Sequence, residues 1–124
     1  MLNRLQRFGK TSEAIAARHL KKKGYDILEK NFRTPLGEID LIARDGNTIV
    51  FIEVKARTSD RFGSAKHAVT RKKQKKISMA ALVYLKKIKQ PDASARFDVV
   101  ALNAHKTGDL IEIIKNAFDL TYDG

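Results

Sequence analysis

The chain of 124 residues contains no cysteine, which excludes disulfide bonds, thiolate zinc sites and a cysteine nucleophile. No apolar run approaches the roughly 20 residues that a membrane-spanning helix requires. Residues 1–10 also lack the apolar stretch of a secretory signal. The three histidines are scattered and form no ligand pattern. These absences predict a soluble, cytoplasmic protein with no membrane partner.

Proline is almost as scarce, since only Pro35 and Pro91 occur, and both lie between periodic segments. The chain shows no repeat, no low-complexity tract and no linker-like composition. Its hydrophobic fraction of 43% is sufficient for a packed core. We therefore predict a single domain over residues 1–124.

Acidic residues are the scarcer charged class, with 14 against 25 basic residues, and the formal net charge is +11. Such a field attracts polyanions, of which nucleic acid is the commonest. A solvated surface and binding to acidic lipid are the alternatives. Charge alone indicates no catalysis.

Hydrophobic periodicity predicts an α/β fold with the order helix, three strands, helix, two strands. The three-strand meander is expected to be antiparallel, and the helical crossover to return the fourth strand parallel to the third. The result is a mixed sheet with helices on both faces. The predicted helices cover residues 5–23 and 69–88, the predicted strands cover residues 25–32, 37–43, 48–57, 96–102 and 110–114, and a short terminal helix covers residues 115–120.

The two strands around residues 44–47 form the clearest hairpin, because both alternate and the segment between them has turn chemistry. If Gly46-Asn47 is the loop, Asp40 lies opposite Glu53, whereas an Asp45-Gly46 loop places Glu38 there. In either register Asp40, Glu53 and Lys55 share one face of the hairpin. Alternation also predicts that Glu38, Asp40 and Ile42 share a face, opposite Ile39, Leu41 and Ala43.

Two carboxylates opposite one another repel, and a divalent cation would remove that penalty. Mg²⁺ takes oxygen ligands, so Asp40, Glu53 and the backbone carbonyl of Val54 are candidate ligands. The ammonium of Lys55 could orient an attacking water and stabilise charge on a phosphate. Glu and Lys on a strand can instead form a solvated ladder, but the strand is otherwise apolar, as expected of a central strand.

Basic residues also lie at the start of the second predicted helix. They either contact phosphate or form a solvated face of the helix. Arg57 could contact substrate phosphate or form a salt bridge at the rim. Gln74 could approach the site from the helix. Asp98 is interpreted as a structural acid paired with Arg96 or another cation. The cations of the helix are Arg71, Lys72, Lys73, Lys75 and Lys76.

An ordered set of motifs covers nearly the whole chain: GKTSEAIA at residues 9–16, GEIDLIA at 37–43, FIEVKAR at 51–57, TRKKQKKI at 70–77 and RFDVV at 96–100. This set resembles the YraN family of small bacterial proteins. That family is similar to the restriction-endonuclease-like PD-(D/E)xK superfamily and, within it, to the archaeal Holliday junction resolvases. The resemblance implies an αβββαβ core.

By the same resemblance, Asp40 and Glu53 would be metal ligands and Lys55 the catalytic lysine. Glu13, at the border of the apolar stripe of the first helix, would be a fourth member of the site. No proline precedes Asp40, which is a departure from the superfamily pattern. The implied activity is a Mg²⁺- or Mn²⁺-dependent endonuclease that hydrolyses DNA, with branched DNA as substrate by analogy. The alternative is a non-catalytic nucleic-acid-binding protein that retains the fold. A homodimer is compatible with paired cuts at a junction.

Overall fold

A computed structural model describes residues 4–57, 69–103 and 110–121 of the chain. The order of elements is the predicted one, and the mixed α/β fold class is confirmed. Within the described residues no helix is long and apolar enough to cross a membrane. The elements are α1 (Arg4–Lys22), β1 (Asp26–Thr34), β2 (Gly37–Asp45), β3 (Thr48–Arg57), α2 (Arg71–Lys87), β4 (Ala95–Asn103) and β5 (Leu110–Phe118).

The described strands form a five-stranded sheet in the order β1-β2-β3-β4-β5. The pairings β1–β2, β2–β3 and β4–β5 are antiparallel, whereas β3 and β4 are parallel because α2 carries the chain back across the sheet. β3 is central and apolar, with Val50, Phe51 and Ile52 at most 1% exposed. This position agrees with the apolar character that its sequence shows.

The register of the β2–β3 hairpin decides between the two predicted loops. Asp45 pairs with Thr48 and Leu41 pairs with Ile52, so Gly46-Asn47 is the connection. Gly46 has a φ of 61°, a left-handed conformation that glycine adopts without steric penalty. Continuing this register by one residue places Asp40 opposite Glu53.

The two helices cover opposite faces of the sheet. Ala16, Ala17 and Leu20 of α1 pack with Leu41, Ala43, Val50, Ile52 and Val100. The small alanine side chains let the helix approach the strands closely. Ile77, Ala80, Ala81, Tyr84 and Leu85 of α2 pack on the other face against Ile42, Ile49, Phe51 and Val99. Each face of the sheet therefore has its own hydrophobic cluster.

The helix ends follow sequence signals. Gly24, with a φ of 94°, follows α1, and the N–H of Tyr25 returns to the carbonyl of Leu20 at 3.0 Å. Thr70 caps α2, since its hydroxyl accepts a hydrogen bond from the N–H of Lys73 at 3.1 Å. These caps fix where each helix meets the sheet.

One prediction about the secondary structure is wrong. The terminal helix over residues 115–120 is not formed, because β5 continues to Phe118, which pairs with Phe97. An irregularity in the pairing and the left-handed Asn116 (φ 52°) let the strand continue past Ile114. Ile15 of α1 is 38% exposed, because the helix contacts the sheet through its smaller residues.

Candidate active site at the fork of β2 and β3

The candidate site lies where β2 and β3 stop pairing. The last backbone pair is Leu41 with Ile52, and Asp40 and Glu53 come next on their strands. The carboxylate of Asp40 accepts a hydrogen bond from the backbone N–H of Val54, with 2.8 Å between Oδ2 and N. A side chain thus takes the place of a ladder partner, and the two strands separate around a pair of acids. We call this point the fork.

Side-chain alternation along β2 is interrupted at the fork. Ile39 packs in the cluster under α2, as Ile42 does, whereas Leu41 packs in the cluster under α1. The prediction that Ile39 and Leu41 share a face is therefore wrong. The cause is local, because Asp40 satisfies the backbone of β3 with its side chain. Across from Asp40, Asn31 of β1 is in a left-handed conformation with a φ of 54°.

Glu53 is a buried acid, only 7% exposed, on the α2 face of β3. Burial, then the charge of Asp40 and a hydrogen bond between the two side chains, raise the pKa of Glu53 from its ordinary value near 4.5 to about 8. Lys73 and Lys55 act in the opposite direction, with the smaller effect. Near neutral pH its burial and the charge of Asp40 therefore favour the protonated form of Glu53.

Two lysines face the buried acid from different elements. Lys55 follows Glu53 by two positions on β3 and is half-buried on the same face. Lys73 is half-buried in the first turn of α2. Its charge lowers the pKa of Glu53 more than the charge of Lys55 does. Gln74 is engaged elsewhere, because its amide nitrogen donates to the carbonyl of Val69 at 3.0 Å.

Glu13 lies on the other side of Asp40. It is half-buried on α1, and burial followed by the charge of Asp40 raises its pKa. Its side chain hydrogen-bonds Asn31, which opposes that shift. The sequence did not single out Asn31. Its signal is a residue type that tolerates the left-handed conformation, placed inside a strand.

The donor set suits a hard cation only in part. Over the described ranges 4–57, 69–103 and 110–121, no group of three histidine or carboxylate side chains is close enough to hold a metal ion. Asp40 and Glu53 do meet through a side-chain hydrogen bond, and two carboxyl groups so placed are oxygen donors that would suit a hard cation. The backbone of Val54 lies beside Asp40, whereas Glu13 is turned to Asn31.

The predicted phosphate-binding cations lie on the first turns of α2. Arg71, Lys72, Lys75 and Lys76 are exposed there, and Lys73 is half-buried. Lys73 and Lys76 also line a groove of about 400 Å³ against the turn between β1 and β2. Arg57 is the last residue of β3, and its side chain lies outside the described part of the chain.

Asp98 is structural, as predicted. It is completely buried on β4 and accepts a hydrogen bond from the Arg96 guanidinium at 3.0 Å. The Tyr25 hydroxyl donates to it at 3.1 Å, and the backbone N–H of Asn116 at 3.0 Å. Arg96 also pairs with Asp45 at 2.7 Å. Both carboxylate oxygens of Asp98 therefore accept hydrogen bonds from within the fold.

The chain combines an α/β fold with a pair of acids at the fork, and comparison with known proteins shows which family it belongs to. Residues 12–102 match the model of uncharacterised protein family UPF0102, so the chain belongs to that family, and the resemblance to YraN is confirmed at this level. It is 50% identical over 119 residues to a UPF0102 protein of Desulfosudis oleivorans, covering 96% of this chain and 95% of the relative. It is 53% identical over 115 residues to a UPF0102 protein of Geotalea daltonii, covering 92% and 91%.

Proposed function

We propose that this protein is a metal-dependent DNA endonuclease of the PD-(D/E)xK type. The observation that carries the proposal is the pairing of buried Glu53 with half-buried Asp40 at the fork, with Lys55 two residues along the same face as Glu53. The chain is basic, with a net charge of +11, yet it holds two acids together, which lowers the stability of the fold. Such perturbed pairs are typical of catalytic sites.

Each residue has a distinct part in the proposed reaction. Asp40 and Glu53 would hold Mg²⁺ or Mn²⁺, with the backbone carbonyl of Val54 as a further oxygen donor. The cation would polarise the phosphodiester and ease ionisation of the attacking water. Lys55 would orient that water and stabilise the negative charge that grows on the phosphate. Lys73 faces the acid pair from α2 and would contact the phosphate from that side.

Glu13 would hold the attacking water or the cation from the α1 side. To do so it must exchange its hydrogen bond with Asn31 for one directed at the fork. The exposed cations of α2 (Arg71, Lys72, Lys75 and Lys76) would bind the DNA backbone near the site. Cleavage of a four-way junction requires two cuts, so the proposal includes a homodimer. Sedimentation of the protein bound to junction DNA tests this.

A non-catalytic nucleic-acid-binding protein is the second candidate. One observation favours it, namely that the described residues contain no three-ligand cluster. Binding by the basic surface of α2 would need no metal. Its affinity would fall steeply with salt, because each neutralised phosphate releases counterions.

The test is cleavage of linear, single-stranded, flap and four-way-junction DNA with Mg²⁺, Mn²⁺ or EDTA. We expect metal-dependent cutting that falls by about 10³-fold or more in Asp40→Asn, Glu53→Gln and Lys55→Met. Glu112→Gln and Lys86→Met change exposed residues outside the site and should cut normally. Binding in all variants without cutting under any condition would overturn the enzyme and support the second candidate.

A further inference from the structure

The turn between β1 and β2 presents an apolar side chain to solvent. Leu36 is 56% exposed, which makes it the most exposed large apolar side chain in the described part of the chain. It follows Pro35, which is also exposed. A single exposed leucine is ordinary on a protein surface, so its meaning depends on what holds it and what lies beside it.

The turn is rigid. The hydroxyl of Thr34 donates to the carbonyl of Gly37 at 2.9 Å and accepts from the N–H groups of Leu36 and Gly37 at 3.0 and 3.1 Å. Gly37 in turn lies against the backbone carbonyl of Lys76, where a Cβ atom would collide. The turn is therefore fixed to α2, and Leu36 is held at a defined place.

The groove beside this turn is cationic, and one of its lysines, Lys73, also acts electrostatically on Glu53 of the fork. Arg33 and Leu36 line one wall, and Lys73 and Lys76 line the other. The charge of Lys73 also lowers the pKa of Glu53, and the charge of Arg33 lowers the pKa of Glu13. The same two cations thus belong both to the groove and to the surroundings of the acids. The acid in this groove, Glu38, has Arg33 at 3.7 Å.

We propose that Leu36 is a wedge that packs against a base where two DNA strands part, while Arg33, Lys73 and Lys76 hold the phosphates of the strand that enters the fork. Apolar side chains on rigid supports open base steps in this way. In continuous duplex the base faces are stacked and hidden. The preferred substrate is therefore DNA with an unpaired step, such as a splayed duplex, a flap or a four-way junction. This inference rests on the proposed function, which it deepens by naming the side chain that would select DNA with an unpaired step.

Affinity without cleavage tests the wedge. In EDTA, wild-type protein should bind a splayed duplex about tenfold more tightly than a linear duplex of equal length and charge, because one leucine side chain leaves water. Leu36→Ser should remove this preference, and Leu36→Met should keep it. Leu120→Ser is the matched control, since Leu120 is 42% exposed and lies away from the groove.

A fluorescent base gives a second readout. With 2-aminopurine at the unpaired step, wild-type protein and Leu120→Ser should change its emission, and Leu36→Ser should not. Equal affinity for both DNAs in wild type, or a preference that survives Leu36→Ser, would overturn the wedge. Metal-dependent cutting without that preference would leave the proposed endonuclease standing. A preference without cutting would leave the wedge standing and remove the enzyme, and no DNA binding would remove both.

Discussion

Two buried acids lie on neighbouring central strands, and they are treated in opposite ways. Asp98 on β4 is enclosed by Arg96, Tyr25 and the backbone of Asn116 on the α1 face. Glu53 on β3 meets Asp40 on the α2 face, and burial and that neighbour raise its pKa to about 8. The charge of Asp98 is compensated by donors within the fold, whereas Glu53 lies beside another acid and its burial favours the protonated form.

This difference separates a structural charge from a functional one. A buried carboxylate surrounded by donors gains stability from them and has no capacity left for a ligand. A carboxyl group held beside another acid lowers stability once it ionises, and a cation would relieve it. Burial alone therefore does not identify the site, because Asp98 is the more buried of the two residues.

The largest expected effect is the loss of the Asp98 cluster. Asp98→Ala leaves Arg96, whose side chain is only 19% exposed, without its main partner. We expect the free energy of unfolding to fall by about 3 kcal/mol, as for other broken buried pairs. Urea unfolding measures this change. Asp92→Ala, at an exposed position, is the control, and an equal loss in both variants would contradict the structural role.

Glu53→Gln should raise the free energy of unfolding at high pH, whereas Asp98→Ala lowers it. The carboxyl ionises near 4.5 ordinarily and near 8 in the fold, so folding takes up a proton between those values. Stability of the metal-free wild type should therefore fall as pH rises from about 5 to 8 and then level off. Relative to pH 5, Glu53→Gln should gain a few kcal/mol of stability on wild type at pH 9. Unfolding curves at several pH values measure it, with exposed Glu112→Gln showing no such trend.

Metal affinity should depend on the same proton. If Mg²⁺ displaces it from the pair, the affinity should rise by up to about tenfold per pH unit below pH 8 and flatten above it. Calorimetry in two buffers of different ionisation enthalpy would detect the released proton. Binding that is independent of pH between 6 and 8 would show that the cation, if bound, does not lie on this pair.

Tyr25→Phe should give the smallest effect. It removes the hydroxyl that donates to Asp98 and accepts from Arg96 at 3.1 Å, but leaves the ion pair in place. We expect a loss of about 1 kcal/mol in the free energy of unfolding. A loss as large as that of Asp98→Ala would mean that the tyrosine, not the arginine, is the main partner of the acid.

The sequence predicted the hairpin and its acidic face because side chains alternate strictly where strands pair. It left two registers open, since Gly46-Asn47 and Asp45-Gly46 are both turn sequences, and the observed pairing of Asp45 with Thr48 selects one. Asp40, Glu53 and Lys55 were found by this alternation, and the cations of α2 by their clustering.

The sequence missed features that depend on contacts between distant segments. The change of face between Ile39 and Leu41 follows from the bond between Asp40 and Val54, which no local pattern encodes. The continuation of β5 depends likewise on Asn116, whose N–H is bound by Asp98 of β4. Side chains that bind backbone across strands override periodicity at these places.

The parallel pairing of β3 with β4 also has a kinetic consequence. β1, β2 and β3 are joined by short turns, so they can pair early, whereas β4 reaches β3 only after the crossover through α2. Asp40 and Glu53 lie on strands of the early part, but the helix that buries Glu53 docks late. We expect refolding to pass through a stage in which Glu53 is ionised and hydrated. Refolding should therefore slow as pH rises toward 8, when closing α2 over the pair requires a proton from solution.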